Sequence, residues 1–350
     1  MPKKVSVKYI GEGSYGCVVK PEIACSDTSK PLEIVRANTR VRKQKLVSKI
    51  FSDKESFEKE IQASQQMKKI DPSGTKFLLP RRACQLSYTD IVKYPETNQC
   101  NNIVENPQEI YYQLHMPYGG VKFDHAIRNK TYKAQLRPKQ LLQMMKPLFK
   151  ALVMLDEHKM CHMDIKPGNV LVTPQGEPII IDYSLVRPYK DIYILRTMRR
   201  FRMTYYPYPP EFKILGYSSL INGRIIVDQD KCLKSVVDNY DHHSVTNYFK
   251  YFSENDISAA IEHDINHIQS VKDALAYMSQ FSNRIDIYSV GMLMVYVTKY
   301  LELDFDPITN SDKDRAFIEF VKQLVHPQVA LRATPVSAMK LYSTTMKKLK

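Results

Sequence analysis

The sequence predicts an α+β fold of two lobes, a small β-rich lobe with one long helix followed by a larger, mainly helical lobe. Three observations predict it. Strand-like runs broken by glycine and proline fill the first third of the 350 residues. A Pro/Gly connector, Met116-Pro117-Tyr118-Gly119-Gly120, closes that third. Beyond it, the spaced apolar residues of buried helices dominate. The boundaries drawn are 1–115, a connector at 116–120, and 121–350 with an inserted subdomain at about 213–282.

Composition narrows the function classes. With 43% hydrophobic and 25% charged residues the chain is globular rather than disordered. The formal charge of +14, from 51 Lys and Arg against 37 Asp and Glu, favours acidic protein surfaces, phosphates or anionic membranes without choosing among them. A nucleic-acid partner rests on charge alone, because no aromatic-plus-basic recognition motif accompanies it. Six cysteines (Cys17, Cys25, Cys84, Cys100, Cys161, Cys232) show no CxxC pair, which predicts a reducing intracellular compartment and no disulfide. No apolar core of a signal peptide precedes Gly11, and the longest apolar run, about Val290 to Val297, is too short for a membrane span. A soluble chain is expected.

Only 11 glycines occur, where the usual ~7% would give about 25. Gly11, Gly13 and Gly16 nevertheless fall within six positions, in a run that reads strand, tight turn, strand. Three readings stand at this point: a cover for phosphates, in which Glu12, Ser14 and Tyr15 take part, an ordinary hairpin, or a dinucleotide site. The β-branched residues and Pro21 that follow argue against the last, which needs a helix there. Residues 20 to 45 are polar and basic, including Arg36, Arg40, Arg42, Lys43 and Lys45, and read as a solvated loop.

Leu46 to Phe51 then reads as a strand that sets Lys49 among apolar neighbours, where an unpaired ammonium is costly. A helix follows, opened by a Ser52/Glu55 capping box and stopped at Asp71-Pro72-Ser73-Gly74. Phe57, Glu60, Ile61, Ser64 and Met67 share one face, so Glu60 is the inward carboxylate for Lys49, against the plainer reading of a solvated glutamate. Residues 75 to 115 suggest further strands around a polar loop, and Leu141 to Lys159 a buried helix.

The most informative segment is Cys161 to Val172, which places Asp164, Lys166 and Asn169 within six positions. After a turn, the strand Ile179-Ile180-Ile181 delivers Asp182. Phosphoryl transfer needs such a set: a carboxylate to take the hydroxyl proton, a carboxylate and an amide for the metal, and a cation for the transferring group.

On these motifs the chain resembles the eukaryotic-type serine/threonine protein kinases, over about Tyr9 to Leu341. The catalytic-loop pattern H-x-D-x-K-x-x-N appears as His162, Asp164, Lys166 and Asn169. Lys166 has the serine/threonine rather than the tyrosine pattern. The resemblance implies a kinase-like bilobal fold, ATP with Mg²⁺ or Mn²⁺, Asp164 as catalytic base, and Asn169 with Asp182 as metal ligands. It also implies a phosphate cover from Gly11 to Gly16, an adenine slot formed by Val18 and Val47, Lys49 bridging phosphates and Glu60, a hinge at His115 to Tyr118, and Leu114, His115 and Met116 as nucleotide-binding residues. Thr204 with Pro209-Pro210-Glu211 resembles the end of an activation segment, Ile285-Asp286 the start of the central helix that ties down the catalytic loop, and Arg332 the partner of Glu211. Protein substrates are implied, acidic or already phosphorylated ones being favoured by Arg187, Lys190, Arg196, Arg199, Arg200 and Arg202; a monomer is expected.

Departures from the pattern are as specific. Met163 replaces the usual arginine, leaving a phosphorylated loop residue such as Thr197 without its customary partner, and Asp182-Tyr183-Ser184 replaces D-F-G, which predicts a less mobile motif. These departures also motivate a second reading, a pseudokinase that binds ATP or serves as a scaffold. In the insertion, His263 and His267 stand four apart with His242 and His243 upstream; lacking the usual glutamate, they read as solvated histidines rather than a zinc site. The catalytic core, the D-Y-S triplet, the M-P-Y-G-G connector and the insertion together resemble kinases of nucleocytoplasmic large DNA viruses, which implies host cytoplasm and packaging in virions.

Overall fold

The computed structural model describes residues 6–13, 16–26, 32–34, 45–105, 107–129, 136–192, 207–242, 246–301, 303–306 and 308–350. Ser14, Tyr15, Arg36, Arg40, Arg42, Lys43, Arg196, Thr197, Arg199, Arg200, Arg202, Thr204 and His243 lie outside the described residues. The chain divides into two units, Met1–Gly120 with Ile181–Ser184, and Val121–Ile180 with Leu185–Lys350.

The first unit is built on a six-stranded antiparallel sheet. Its strands are β1 (Lys8–Gly13), β2 (Gly16–Lys20), β3 (Leu32–Glu33), β4 (Leu46–Phe51), β5 (Arg82–Ser87) and β6 (Ile110–Pro117), in the order β1-β2-β4-β6-β5-β3. Strand alternation gives the sheet two distinct faces. Val18 pairs with Lys49, Lys49 with Leu114 and Val47 with Met116, so these five share one face. Helix α1 (Lys54–Ile70) packs on that face through Phe57, whose ring lies 5.8 Å from Phe51 and 5.2 Å from Tyr112. Its N-cap is Asp53 rather than the expected Ser52. The Asp53 carboxylate accepts from the amides of Glu55 and Ser56, and a charged cap at a helix N-terminus outcompetes a neutral hydroxyl.

The opposite face carries its own small core of Val7, Cys17, Val19, Ile23, Ile50, Leu86, Ile91, Cys100, Ile103 and Tyr111. Helical turns at Tyr88–Ile91, Pro95–Gln99 and Asn101–Val104 supply its outer members. The basic stretch expected to be a solvated loop also contributes, since Ile23 and Ile34 are buried and Leu32–Glu33 extends the sheet from β5. Two disulfides, Cys17–Cys100 and Cys25–Cys84, correct the expectation of none. Their partners lie 83 and 59 residues apart, so local spacing held no sign of them and only strand pairing brings them together.

The second unit is mainly helical. After β7 (Val121–Lys122) and α2 (Phe123–Arg128) comes α3 (Pro138–Glu157), two residues short of the Lys159 end expected. Four short strands, β8 (Met160–Cys161), β9 (Val170–Val172), β10 (Pro178–Ile180) and β11 (Arg187–Pro188), pair as β8 with β11 and β9 with both β10 and β7. Next is α4 (Pro210–Gly216), started by two prolines, the second at its first helical position where a missing amide costs nothing.

The insertion folds as a hairpin, β12 (Ser218–Ile221) with β13 (Arg224–Val227), and three helices, α5 (Gln229–His242), α6 (Glu254–Asn266) and α7 (Val271–Gln280). Residues 257 to 277 fall in two helices, the second entered through a Ser270 hydroxyl that accepts from the Asp273 amide. Helix α8 (Ile285–Thr298) is buried at every position, as a helix apolar on all sides must be. Helices α9 (Asp312–Val325) and α10 (Pro335–Lys348) finish the core against α3, with the Phe149 ring 5.7 Å from Phe320 and 6.3 Å from Tyr342. Among the described residues no helix is long and apolar enough to cross a membrane.

Candidate active site

In the first unit, the Lys49 ammonium meets the Glu60 carboxylate at 2.5 Å, as the strand and helix periodicities predict. Both side chains are largely buried, at 18% and 15% exposure, so the pairing offsets a desolvation cost that neither charge would bear alone. Gly16 is the glycine that packing demands, because a Cβ there would sit 2.5 Å from the Ile50 carbonyl oxygen. At Gly11 no neighbour lies within 4 Å of that position, and the hairpin backbone stays open to a ligand. The Glu12 carboxylate is turned away from such a role. It accepts from the backbone amides of Asn101 at 3.1 Å and Asn102 at 2.7 Å, while the Asn102 side-chain amide donates to the Gly13 carbonyl.

His115 is a second correction. Its residue number is odd where Leu114 and Met116 are even, so its side chain falls on the opposite sheet face, beside Ser48 and Gln113. There its Nε2 bonds the Ile23 carbonyl at 2.9 Å, and burial pushes the imidazole pKa down. Leu114 and Met116 stay on the Lys49 face, while the His115 ring does not.

The segment Ile181–Ser184 groups with this unit. Asp182 has a left-handed φ of 65°, a conformation an aspartate tolerates better than most side chains. The Ser184 hydroxyl donates to Asp182 Oδ1 at 2.8 Å and its amide follows at 3.3 Å. The Tyr183 hydroxyl donates to the Leu78 carbonyl at 2.8 Å, its ring meets Phe77 edge-on, and burial drives its pKa far up. That carbonyl follows a turn organised by Asp71. Asp71 is fully buried and accepts from the amides of Lys76 and Phe77. Sequence reading took Asp71 only as a helix stop; a tyrosine in place of the usual phenylalanine was the signal for the Leu78 bond.

In the second unit, three of the expected residues converge in one loop. The Asn169 side-chain amide donates to Asp164 Oδ2 at 2.7 Å and to the Asp164 carbonyl at 3.0 Å, and Lys166 Nζ lies 3.0 Å from the same Oδ2. Committing its nitrogen this way leaves Asn169 an oxygen donor for a hard cation, and Asp182 is a carboxylate; both match the oxygen preference of Mg²⁺.

The loop is held from below by Asp286 at the start of α8. Its two carboxylate oxygens accept from the amides of His162 at 2.6 Å and Met163 at 3.0 Å. Met163 needs such a hold, because a φ of 67° is costly for an unbranched non-glycine residue. The buried Cys161 thiol and Tyr208 phenol are both pushed up in pKa, mainly by burial, with Asp286 and Asp164 respectively adding to the shift.

The expected Glu211 to Arg332 pair is present and bidentate, at 2.7 and 3.0 Å, with both side chains at 0% exposure. Nearby, the buried Asp264 accepts from the Tyr277 hydroxyl at 2.7 Å, and burial raises its pKa. The His263 and His267 rings lie 4.6 Å apart with their planes tilted by 32°, His267 stacks on Tyr277 at 4.8 Å, and His267 Nδ1 bonds the His263 carbonyl at 2.8 Å. His267 Nδ1 is thus committed to a backbone carbonyl, and the His263 ring nitrogens lie 3.2 Å from Gln328 Nε2.

Comparison with known proteins adds the following. The protein kinase domain family matches residues 86–219. Calcium-dependent protein kinase 3 of Plasmodium yoelii yoelii is 28% identical over 191 residues, 54% of this chain and 28% of that protein. Serine/threonine-protein kinase cds1 of Schizosaccharomyces pombe is 31% identical over 101 residues, 28% of this chain and 21% of its own length. Serine/threonine-protein kinase DCLK3 of Homo sapiens is 28% identical over 159 residues, 44% of this chain and 24% of its own length. The matches thus span under a third of each relative. With the β-rich first unit and the mixed helix and sheet of the whole, these similarities support a eukaryotic-type protein kinase.

Proposed function

We propose that the chain is a serine/threonine protein kinase that transfers the γ-phosphoryl group of Mg-ATP to a protein hydroxyl. The observation that carries this reading is the convergence of Asn169 and Lys166 on the Asp164 carboxylate, in a loop whose backbone Asp286 fixes. In the reading, Asp164 accepts the proton of the substrate hydroxyl as its oxygen attacks the γ-phosphorus and the bond to the β,γ-bridging oxygen breaks, releasing ADP. Lys166 neutralises charge on the transferring group. Lys49, oriented by Glu60, anchors the phosphates under the Gly11–Gly16 hairpin, and Val18, Val47, Leu114 and Met116 offer adenine an apolar face. Asn169 and Asp182 would hold the Mg²⁺, which supplies charge neutralisation at the phosphates.

Lys166 supports serine or threonine as acceptor. The net charge of +14 supports acidic or phosphorylated substrates. Placement among kinases of large DNA viruses, with action in host cytoplasm and virions, rests on the sequence resemblance alone.

The test incubates purified protein with labelled Mg-ATP and acidic, basic and neutral protein substrates, beside Asp164→Asn and Lys49→Met. Removing the base should slow transfer by roughly 10²- to 10⁴-fold. Wild-type protein that binds Mg-ATP yet phosphorylates no substrate, nor itself, would instead establish the pseudokinase that Met163 and Ser184 motivate.

A further inference from the structure

The outer sheet face of the first unit carries a group that phosphoryl transfer does not use. The sulfur atoms of Cys25 and Cys84 and a ring nitrogen of His115 all lie within 4.8 Å of one another. Cys84 and His115 are buried, and Cys25 is half-exposed. Around them runs a closed hydrogen-bond network. The Ile23 amide donates to the Ser48 hydroxyl at 2.8 Å, and that hydroxyl donates to Gln113 Oε1 at 2.8 Å. Gln113 is thereby oriented, so its Nε2 donates to Cys84 Sγ at 3.2 Å and to the Ile23 carbonyl at 3.1 Å. The same carbonyl accepts from His115 Nε2, which places the ring proton on that atom and leaves Nδ1 as the donor of a lone pair.

A disulfide needs neither a buried imidazole nor an amide N–H aimed at its sulfur. A cysteine–histidine metal site uses both: a backbone carbonyl that sets the histidine tautomer, and a hydrogen bond that stabilises charge on sulfur. We propose that Cys25, Cys84 and His115 form a zinc site whenever the two cysteines are reduced, so that the Cys25–Cys84 disulfide and Zn²⁺ are alternative occupants of one position.

Zn–S bonds of ~2.3 Å at tetrahedral angles set the two sulfurs roughly 3.8 Å apart. Cysteines with Cα atoms 5.9 Å apart reach that spacing by side-chain rotation alone. The half-exposed Cys25 gives solvent access for a water as fourth ligand. The exchange balances. A dithiol reductant delivers two electrons and two protons to the disulfide, Zn²⁺ then displaces both thiol protons to solvent, and a disulfide oxidant reverses the sequence by removing two electrons and releasing the ion. Either occupant fastens residues 21–26 to β5 and β6.

The test uses the full chain, reduced with a dithiol and freed of reductant and metal, titrated with Co²⁺ as spectroscopic probe and then Zn²⁺, with far-UV circular dichroism recorded throughout. One Co²⁺ per chain is expected, with a thiolate-to-cobalt charge-transfer band that Zn²⁺ abolishes. The disulfide-bonded protein should show no band, Cys84→Ser and the half-exposed Cys25→Ser should bind at least about 100-fold more weakly, and the Cys17→Ser/Cys100→Ser double variant should bind as wild type does. Absence of the band in reduced, folded protein means a plain disulfide and overturns the proposal. A band that survives in Cys25→Ser or Cys84→Ser, or loss of the fold on reduction, overturns it equally.

Discussion

The two units hold their chemistry-bearing segments by opposite means. In the larger unit the Asp164 loop is fixed without a covalent cross-link, by the Asp286 carboxylate on two backbone amides and by α8, buried along its whole length. In the smaller unit the Gly11–Gly16 hairpin is tied at its second strand by the Cys17–Cys100 disulfide and at its first by Glu12 on two amides. The difference follows from size. A large unit can surround a helix and a buried ion pair with protein on every side, whereas a sheet-based unit of about 120 residues leaves much of its surface wet and gains more from restricting its unfolded chain.

The largest expected effect tests the non-covalent side. Arg332→Met leaves the Glu211 carboxylate buried without its bidentate partner, at a cost of roughly 3–5 kcal/mol. Replacing both partners, Glu211→Leu with Arg332→Met, should recover most of that loss, because the apolar pair carries no desolvation cost. Urea unfolding of the three proteins provides the check. Equal destabilisation by the single and double variants would mean that shape, not charge pairing, is what this position supplies.

The covalent side should respond next. Cys17→Ser/Cys100→Ser opens a loop of 83 residues and should lower stability by about 2–4 kcal/mol. It should also raise KM for ATP more than it lowers kcat, since the hairpin loses its covalent tie while the Asp164 loop is untouched. A dithiol added to wild-type protein should reproduce the KM change, and a dithiol that leaves KM unaltered would show that the hydrogen bonds of Glu12 and Asn102 suffice.

What the sequence disclosed, and what it hid, divides along the same line. Residues that act at fixed short spacing were legible: Asp164, Lys166 and Asn169 lie within one loop, and Lys49 found Glu60 because a strand period and a helix period each aim one side chain. The Glu211–Arg332 pair, 121 residues apart, was legible only through the family pattern. Hidden were features that depend on which strands neighbour which. Neither disulfide, nor the set of helical turns at residues 88–104 whose Ile91, Cys100 and Ile103 cover the opposite sheet face, has a local signature. His115 was misplaced because a connector reading treats consecutive residues as equivalent, while a strand sends them to alternate faces.

The smallest effect concerns Tyr183, which is held within the smaller unit by non-covalent contacts. Its hydroxyl bond to the Leu78 carbonyl joins two neutral groups, so Tyr183→Phe should cost only about 0.5–1.5 kcal/mol. Packing survives, because the ring keeps its edge contact with Phe77. What changes is the hold on Asp182, whose left-handed backbone is the next residue back. If the bond biases a two-state motif, losing that energy shifts the equilibrium by up to roughly tenfold, and kcat should fall by two- to tenfold with thermal stability nearly unchanged. Ser184→Gly would add backbone freedom and remove the hydroxyl that orients Asp182 Oδ1, so the double variant should fall further than either single one. A Tyr183→Phe protein with wild-type kcat would place the rigidity of this motif in the Asp182 and Ser184 backbone, and leave the tyrosine hydroxyl as a satisfied core group.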